Sequence, residues 1–486
     1  MTMQDERTCA LPPIDEATPP VAAPITREEL ATCLSVLARI HAVPADHPDF
    51  IAVRQASSGM FKAAKRMRRN EARQAILAAD RAVVATTATG APDRIDDETA
   101  GLPLSSRAPG STAGHFINAQ ACYICKARYH QVDAFYHQLC PECAALSHAK
   151  RDARTDLTGR RALLTGGRAK IGMYIALRLL RDGAETTITT RFPHDAARRF
   201  AALPDSAQWL HRLRIVGIDL RDPAQVVALA DSIAERGSLD ILINNAAQTV
   251  RRSPGAYAPL LAAESEALPS GPLPEVVRFG RASELHPVSL AGAELTRLSM
   301  QAGSASLARV AAGTAIDAGG LVPDLHPDNS WTHRVHEVDP LEMLEVQLCN
   351  ASAPFILISR LRPALAASPA RRTYVVNVSA MEGVFGRRYK GAGHPHTNMA
   401  KAALNMLTRT SAADLFTDGI LMTSVDTGWI TDERPHPTKA RLADEGFHAP
   451  LDLVDGAARV YDPIVQGEAG TDLYGVFLKD YRPSAW

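Results

Sequence analysis

Residues 160–184 read "RRALLTGGRAKIGMYIALRLLRDGA". This stretch constrains the fold more than any other. A short apolar run is followed by a glycine-bearing turn, and then by apolar residues at helical spacing. The pattern is strand, loop, amphipathic helix. Glycines at 166, 167 and 172 let the backbone come close to a pyrophosphate, and the following helix N-terminus supplies free N–H groups and a positive dipole end. From about residue 155 onward strand and helix patterns alternate, which predicts an α/β domain with a mostly parallel sheet over 155–486.

The chain has 486 residues, 46% of them hydrophobic and 22% charged, with zero formal net charge. That is enough apolar material for a packed core. It leaves no global field to draw the chain to nucleic acid or to a membrane surface. No run of about 18 apolar residues marks a membrane span, and the polar, proline-rich start lacks an apolar core of signal-peptide length. A cytoplasmic location is the expectation.

Residues 1–25 read as disordered and 26–87 as a helical region. Thr26 and Glu29 fit a capping box, and Leu30, Leu34, Leu37 and Ile40 recur at helical spacing. A second helix carries Lys62, Lys65, Arg66, Arg68, Arg69 and Arg73, read as a solvated basic face with phosphate binding as the alternative. Residues 88–114 have the Gly, Pro, Ser and Asp content of a linker. The segment 115–150 then holds Cys122 and Cys125, fourteen residues, and Cys140 and Cys143. Each short pair can wrap one side of a metal, and four thiolates close a tetrahedral zinc ion. Such a site is structural, stabilising a small module. Disulfides and free core thiols are the alternatives, with His130, His137 and His148 as substitute ligands. Cys9, Cys33 and Cys349 are scattered thiols.

The segment "TGGRAKIG" resembles the T-G-x-x-x-G-x-G loop of the short-chain dehydrogenase/reductase family, through Thr165, Gly166, Ile171 and Gly172, with Lys170 in place of the middle glycine. Further motifs resemble the family in the same order. Asp219 and Leu220 stand where its aspartate contacts adenine. Asn244, Asn245 and Ala246 match its Asn-Asn-Ala-Gly strand. The helix at 341–359 is similar to the one bearing the active-site asparagine, and "MTSVDTGWITDE" to the Pro-Gly segment, with Gly428 and Thr431 retained. The resemblance implies a doubly wound Rossmann-type α/β domain, preceded by the small zinc module and the helical N-terminal region. It also implies a nicotinamide cofactor. Where an acidic residue at the end of the second strand would grip NAD, Thr190 is followed by Arg191, with Arg168 and Lys170 nearby. This favours NADP(H) over NAD(H), unless Arg191 is a surface arginine. The cofactor contacts implied are Thr165, Gly166, Gly167, Arg168, Lys170, Ile171, Gly172, Arg191, Asp219, Leu220, Asn245, Ala246, Lys401 and Thr431. Asn245 and Asn350 lie 105 positions apart. An insertion over 250–338 therefore separates the two motifs, and Trp331, His333 and His336 at its end are candidates to reach the pocket.

The family's asparagine maps to Asn350 and its lysine to Lys401. Its serine maps to Ala380, with Ser379 one residue earlier and, on a strand, facing the other way. Its proton-donating tyrosine maps to Thr397. A threonine hydroxyl is too short and too weakly acidic for the same work, and a positioned acid is worth about 10²–10⁴-fold. Tyr389, His394 and His396 are the substitutes within reach in sequence. Hydride transfer to an iminium or conjugated alkene, which needs little proton donation, is another route. Asn350, Ser379, Thr397, Lys401 and Tyr389 are the catalytic candidates. Two functions follow: an NADP(H)-dependent oxidoreductase with an altered proton relay, acting on a small carbonyl, imine or enone, or a non-catalytic NADP(H)-binding scaffold or sensor whose zinc module engages a partner. Family resemblance also implies a homo-oligomer built on the long helices.

Overall fold

In the computed structural model, which describes residues 24–92, 94, 104–252, 254–279, 321–322, 326–387, 390–430 and 433–486, the chain divides after Leu77 into two units. The first holds α1 (Arg27–Arg39) and most of α2 (Pro48–Thr86). Helix α1 opens on the capping box anticipated from sequence, with Thr26 Oγ1 accepting from the Glu29 N–H at 3.2 Å and the Glu29 carboxylate accepting from the Thr26 N–H at 2.8 Å. Its apolar residues Leu30 and Leu34 are exposed.

The second unit begins with the end of α2. A hairpin follows, β1 (Thr112–Ala121) paired antiparallel with β2 (Arg128–Asp133), and then α3 (Pro141–Asp152). Residues 88–91, part of the stretch read above as a linker, are buried. Ala88 and Thr89 donate their N–H groups to Ala134 and Phe135. Small residues here allow close packing, so their composition reports backbone approach rather than exposure.

A nine-stranded sheet forms the body of this unit. Its strands are β3 (Arg161–Leu164), β4 (Glu185–Thr190), β5 (Leu213–Gly217), β6 (Ile241–Asn244), β7 (Glu275–Arg278), β8 (Thr373–Ser379), β9 (Ile420–Asp426), β10 (Phe477–Lys479) and β11 (Arg482–Ser484). They run in the order β11-β10-β9-β8-β6-β3-β4-β5-β7. Every neighbouring pair is parallel except β10–β11. All seven residues of β8 and of β9 are buried, as expected for strands covered on both faces. On one face lie α4 (Lys170–Arg181), α5 (Pro193–Ala201) and the long C-terminal helix Leu453–Glu468, and on the other α6 (Pro223–Ala234) and the helix Pro340–Ala366. The expected doubly wound α/β fold is therefore present. The strand order reverses between β3 and β6, and ligands of such sheets bind at the carboxyl ends beside that reversal.

Two features go beyond the sequence reading. Part of the 250–338 insertion joins the sheet, since β7 pairs with β5 through Ile215 and Val276 and extends its edge. The short helix α7 (Ala258–Ser265) precedes it. Second, the helix Pro340–Ala366, labelled α8, is the one described helix long and apolar enough to cross a membrane. Here it flanks the sheet, with Leu357, Leu361 and Leu365 buried in the core. It is followed by α9 (Pro395–Phe416), α10 (His436–Asp444) and α11 (Leu453–Glu468).

Candidate active site

The β3–α4 turn is built around contacts that exclude side chains. Gly166 has φ +70°, and a Cβ there would sit 2.9 Å from Ala246 Cα. At Gly172 a Cβ would meet the Gly166 carbonyl oxygen at 1.9 Å and Asn245 Nδ2 at 2.8 Å. Lys170, standing where a glycine was expected, takes φ +53°. It therefore adopts the left-handed backbone that glycine accepts at no cost and that strains other residues by about 1 kcal/mol. The turn is fixed to β6. Thr165 Oγ1 accepts the N–H groups of Asn245 and Ala246, each at 3.0 Å, while Asn245 Nδ2 donates to the carbonyls of Thr165 and Gly166, each at 3.1 Å.

Above this turn opens a cleft of about 390 Å³. Of the residues assigned to the cofactor from sequence, Gly166, Arg168, Lys170, Ile171, Gly172, Arg191, Asp219, Leu220, Asn245 and Ala246 line it. Gly167 is in the same turn, against Ile188. Thr431 lies outside the described residues. Five cations, Arg168, Lys170, Arg191, Arg221 and Arg252, face two carboxylates, Asp219 and Glu433. Arg191 lies beside two stacked rings, 5.6 Å from the Phe192 centroid and 5.0 Å from that of Tyr257, and it donates to the Tyr257 hydroxyl at 3.3 Å. Arg168 is paired with Asp195 at 2.5 Å. Asp219 is held by Arg221 at 2.9 Å, and Arg221 reaches on to Glu345 at 2.8 Å. Tyr257, Arg221, Gln248 and Cys349 line the cleft without having been picked out from sequence as contacts. Tyr257 comes from the insertion, where no periodicity pointed to it.

The four family positions fall near the carboxyl ends of β6 and β8. Asn350 lies in a π-turn, Leu348–Ser352, inside α8, a distortion often found at functional sites. Its amide is doubly bonded to one backbone residue, donating to Gln248 O at 2.9 Å and accepting from Gln248 N at 2.7 Å. Thr397 is buried and its hydroxyl donates to Thr249 O at 3.4 Å. Lys401 is buried, donates to Val378 O at 2.8 Å, and burial lowers its pKa to about 8. Ser379 faces the other way. Its hydroxyl donates to Asn405 Oδ1 at 2.6 Å, inside the packing between β8 and α9. Strand alternation is the reason. Tyr389 lies outside the described residues. His394 is stacked on Trp331 at 3.9 Å between ring centroids and held by the Trp331 carbonyl at 3.0 Å. His396 is buried, which lowers its pKa.

The family model for short chain dehydrogenase matches residues 160–259, the stretch that carries the glycine turn, Arg191, Asp219 and Asn245. The chain belongs to the short-chain dehydrogenase/reductase family. An uncharacterized protein of Acanthamoeba polyphaga mimivirus is 32% identical over 360 residues, spanning 71% of each chain. A probable oxidoreductase of Streptomyces antibioticus is 43% identical over 91 residues, which is 19% of this chain and 30% of that protein. The crystal structure of NADPH-bound carbonyl reductase from chicken fatty liver is 20% identical, covers 68% of this chain and all of its own length, and superposes with a TM-score of 0.42.

The same unit of the chain also holds the four-cysteine module. The sulfurs of Cys122, Cys125, Cys140 and Cys143 lie within 4.8 Å of one another, and Cys125 and Cys140 approach to 3.6 Å. A tetrahedral zinc with bonds of about 2.3 Å sets its sulfurs about 3.8 Å apart, so the donor set fits. The first pair sits on a tight turn closed by Cys122 N to Ala127 O at 2.9 Å and Lys126 N to Cys122 O at 3.1 Å, with Lys126 at φ +64°. The second pair caps α3, with Cys140 at the N-cap and Pro141 in its first turn. Free N–H groups there favour anionic sulfur. His137 bonds Thr89 at 2.8 Å and His148 bonds Asp133 at 3.1 Å, so neither imidazole belongs to the sulfur cluster.

Proposed function

We propose that the protein is an NADP(H)-dependent oxidoreductase with an altered proton relay, acting on a small carbonyl, imine or enone. The observation that carries this is Arg191 at the end of β4. It lies beside the stacked rings of Phe192 and Tyr257 in a cleft where cations outnumber carboxylates. A guanidinium beside aromatic rings suits both an adenine face and a 2′-phosphate. The glycine turn would take the pyrophosphate, and Lys401 the ribose. With Thr397 at the tyrosine position, the proton would come from Tyr389, His394 or His396, or the substrate would need little proton donation. Burial favours a neutral His396 ring near neutral pH. Zinc at Cys122, Cys125, Cys140 and Cys143 would be structural, since four thiolates leave no open position. Leu344, Phe355, Met399 and Met406 are exposed on α8 and α9, and apolar side chains on these long helices favour a homo-oligomer. A cytoplasmic location goes with reduced thiols.

A second reading is a non-catalytic NADP(H)-binding scaffold or sensor. It is favoured by the engagement of Asn350, Ser379, Thr397 and Lys401 with atoms of the protein itself. The test is a fluorescence titration of zinc-replete protein with NADPH and NADH, followed by a turnover screen over carbonyls, imines and enones. Tight NADPH and weak NADH binding are expected, with Arg191→Ala losing about 10–100-fold for NADPH, the worth of one charge-assisted contact, and little for NADH. Equal loss for both nucleotides would reject the NADP(H) assignment. Binding without turnover would leave the sensor reading.

A further inference from the structure

The module and the cleft are connected by a segment that neither motif explains. Between β9 and α11 the chain passes Trp429, lines the cleft with Glu433, and returns through His448 to Leu451. It is gripped at both ends. Tyr123 sits between the two ligands of the first cysteine pair, and its hydroxyl accepts the Trp429 N–H at 2.9 Å. Gln138, two residues before Cys140, donates from its side chain to His448 O at 3.2 Å. Its own carbonyl accepts the Tyr123 N–H at 2.8 Å, so the two cysteine turns are joined through the same pair of residues. Arg94 adds bonds to Ala449 O at 2.6 Å and Leu451 O at 2.5 Å. Beneath these contacts Cys122, Cys140, Ile430 and Leu451 share one apolar cluster, and Ile171 of the glycine turn packs against it. The two ends also touch each other. Gly428, at φ +79°, lies where a Cβ would come within 2.6 Å of Leu451 Cδ1.

We propose that the four-cysteine module positions this segment at the cleft, with Tyr123 and Gln138 as its positioning residues, so that order at the sulfur cluster is passed to the cofactor's wall. The inference rests on the readings that the sulfurs hold zinc and that the cleft takes NADP(H). Contiguous packing is what couples two sites. Here the path runs from Cys122 through Tyr123 to Trp429, and from Cys140 through Gln138 to His448.

The test is hydrogen exchange on the full-length, zinc-replete protein, with wild type, Tyr123→Phe and zinc-stripped wild type side by side. Tyr123→Phe keeps the ring and removes only the acceptor. Exchange at Trp429 and across 433–451 is expected to rise about tenfold, as the loss of one hydrogen bond predicts. Exchange in β8 and β9, the melting midpoint and the zinc content should stay at wild-type values. NADPH affinity should fall about three- to tenfold, and stripping zinc should extend the faster exchange to the His448 end. Segment exchange within twofold of wild type in both samples overturns the proposal. So does faster exchange throughout the domain together with a lowered midpoint, which would make Tyr123 merely structural. Protein that purifies without zinc would remove the metal reading alone, and protein that ignores NADPH the cofactor reading alone. In either case the exchange of Tyr123→Phe still decides the positioning role.

Discussion

Lys401 should make the protein more stable as the pH rises above 8, and Lys401→Met should abolish that trend. The side chain is buried and its ammonium donates to Val378 O at the end of β8. Burial, the largest influence on it, lowers its pKa from 10.5 to about 8 against the smaller opposing pull of Glu382, Cys349 and Asp426. At pH 7 the group is charged folded and unfolded, so the folded state bears the whole cost, about 3 kcal/mol for a shift of this size. Between about pH 8 and 10.5 the folded protein gives up the proton while the unfolded chain keeps it, so the cost disappears as pH increases. Methionine keeps the length and apolar stem of the side chain. It leaves Val378 O without its donor at every pH, and that term cancels in the comparison. The difference in unfolding free energy between wild type and Lys401→Met should therefore move in favour of wild type by about 2.5 kcal/mol from pH 7 to pH 10. Urea unfolding followed by tryptophan fluorescence measures it. Trp209, Trp331, Trp429 and Trp486 all lie beyond Leu77, so the signal reports the unit that contains Lys401. A difference that stays constant with pH, to within about 0.5 kcal/mol, would refute the reasoning and mean that the amine is solvated or fully compensated.

Gly172→Ala should abolish nucleotide binding, because the added methyl would lie 1.9 Å from the Gly166 carbonyl, which can move only by opening the turn. Equilibrium titration with NADPH checks this, and wild-type affinity would show that the turn is more plastic than its contacts suggest. At position 170, glycine should be tolerated and valine should not. Lys170→Gly is expected to leave the melting midpoint unchanged or raise it by the equivalent of about 1 kcal/mol, whereas Lys170→Val, β-branched at φ +53°, should lower it. Thermal melts of the two variants separate the outcomes.

Much of the fold could be read along the chain because its signals are local. A strand, a glycine turn and a helix within 160–184 announce a parallel sheet, and the two Cys-x2-Cys pairs announce a sulfur cluster whose sulfurs do converge. Thr26 and Glu29 form their capping box because it needs only four consecutive residues. The site was harder to read. Ser379 and Ala380 differ by one strand position, and the pleat decides which of them turns toward α9. The choice became visible only with Asn405 placed opposite Ser379. Tyr257 reaches Arg191 from an insertion with no periodic signature. Residues 88–91 look like linker in composition yet are buried, and β2's exit supplies hydrogen-bond partners for Ala88 and Thr89.

By itself the sequence determined the class of fold, the family and the residues at each motif position, since these depend on propensity, spacing and backbone freedom within a few residues. Tertiary structure alone decided that β7 extends the sheet, that Arg221 reaches Glu345, and that Tyr123 and Gln138 grip the segment ending at Leu451. Those contacts join residues from tens to more than 300 positions apart. Their partners are chosen by how helices and strands pack together, and no local pattern encodes that.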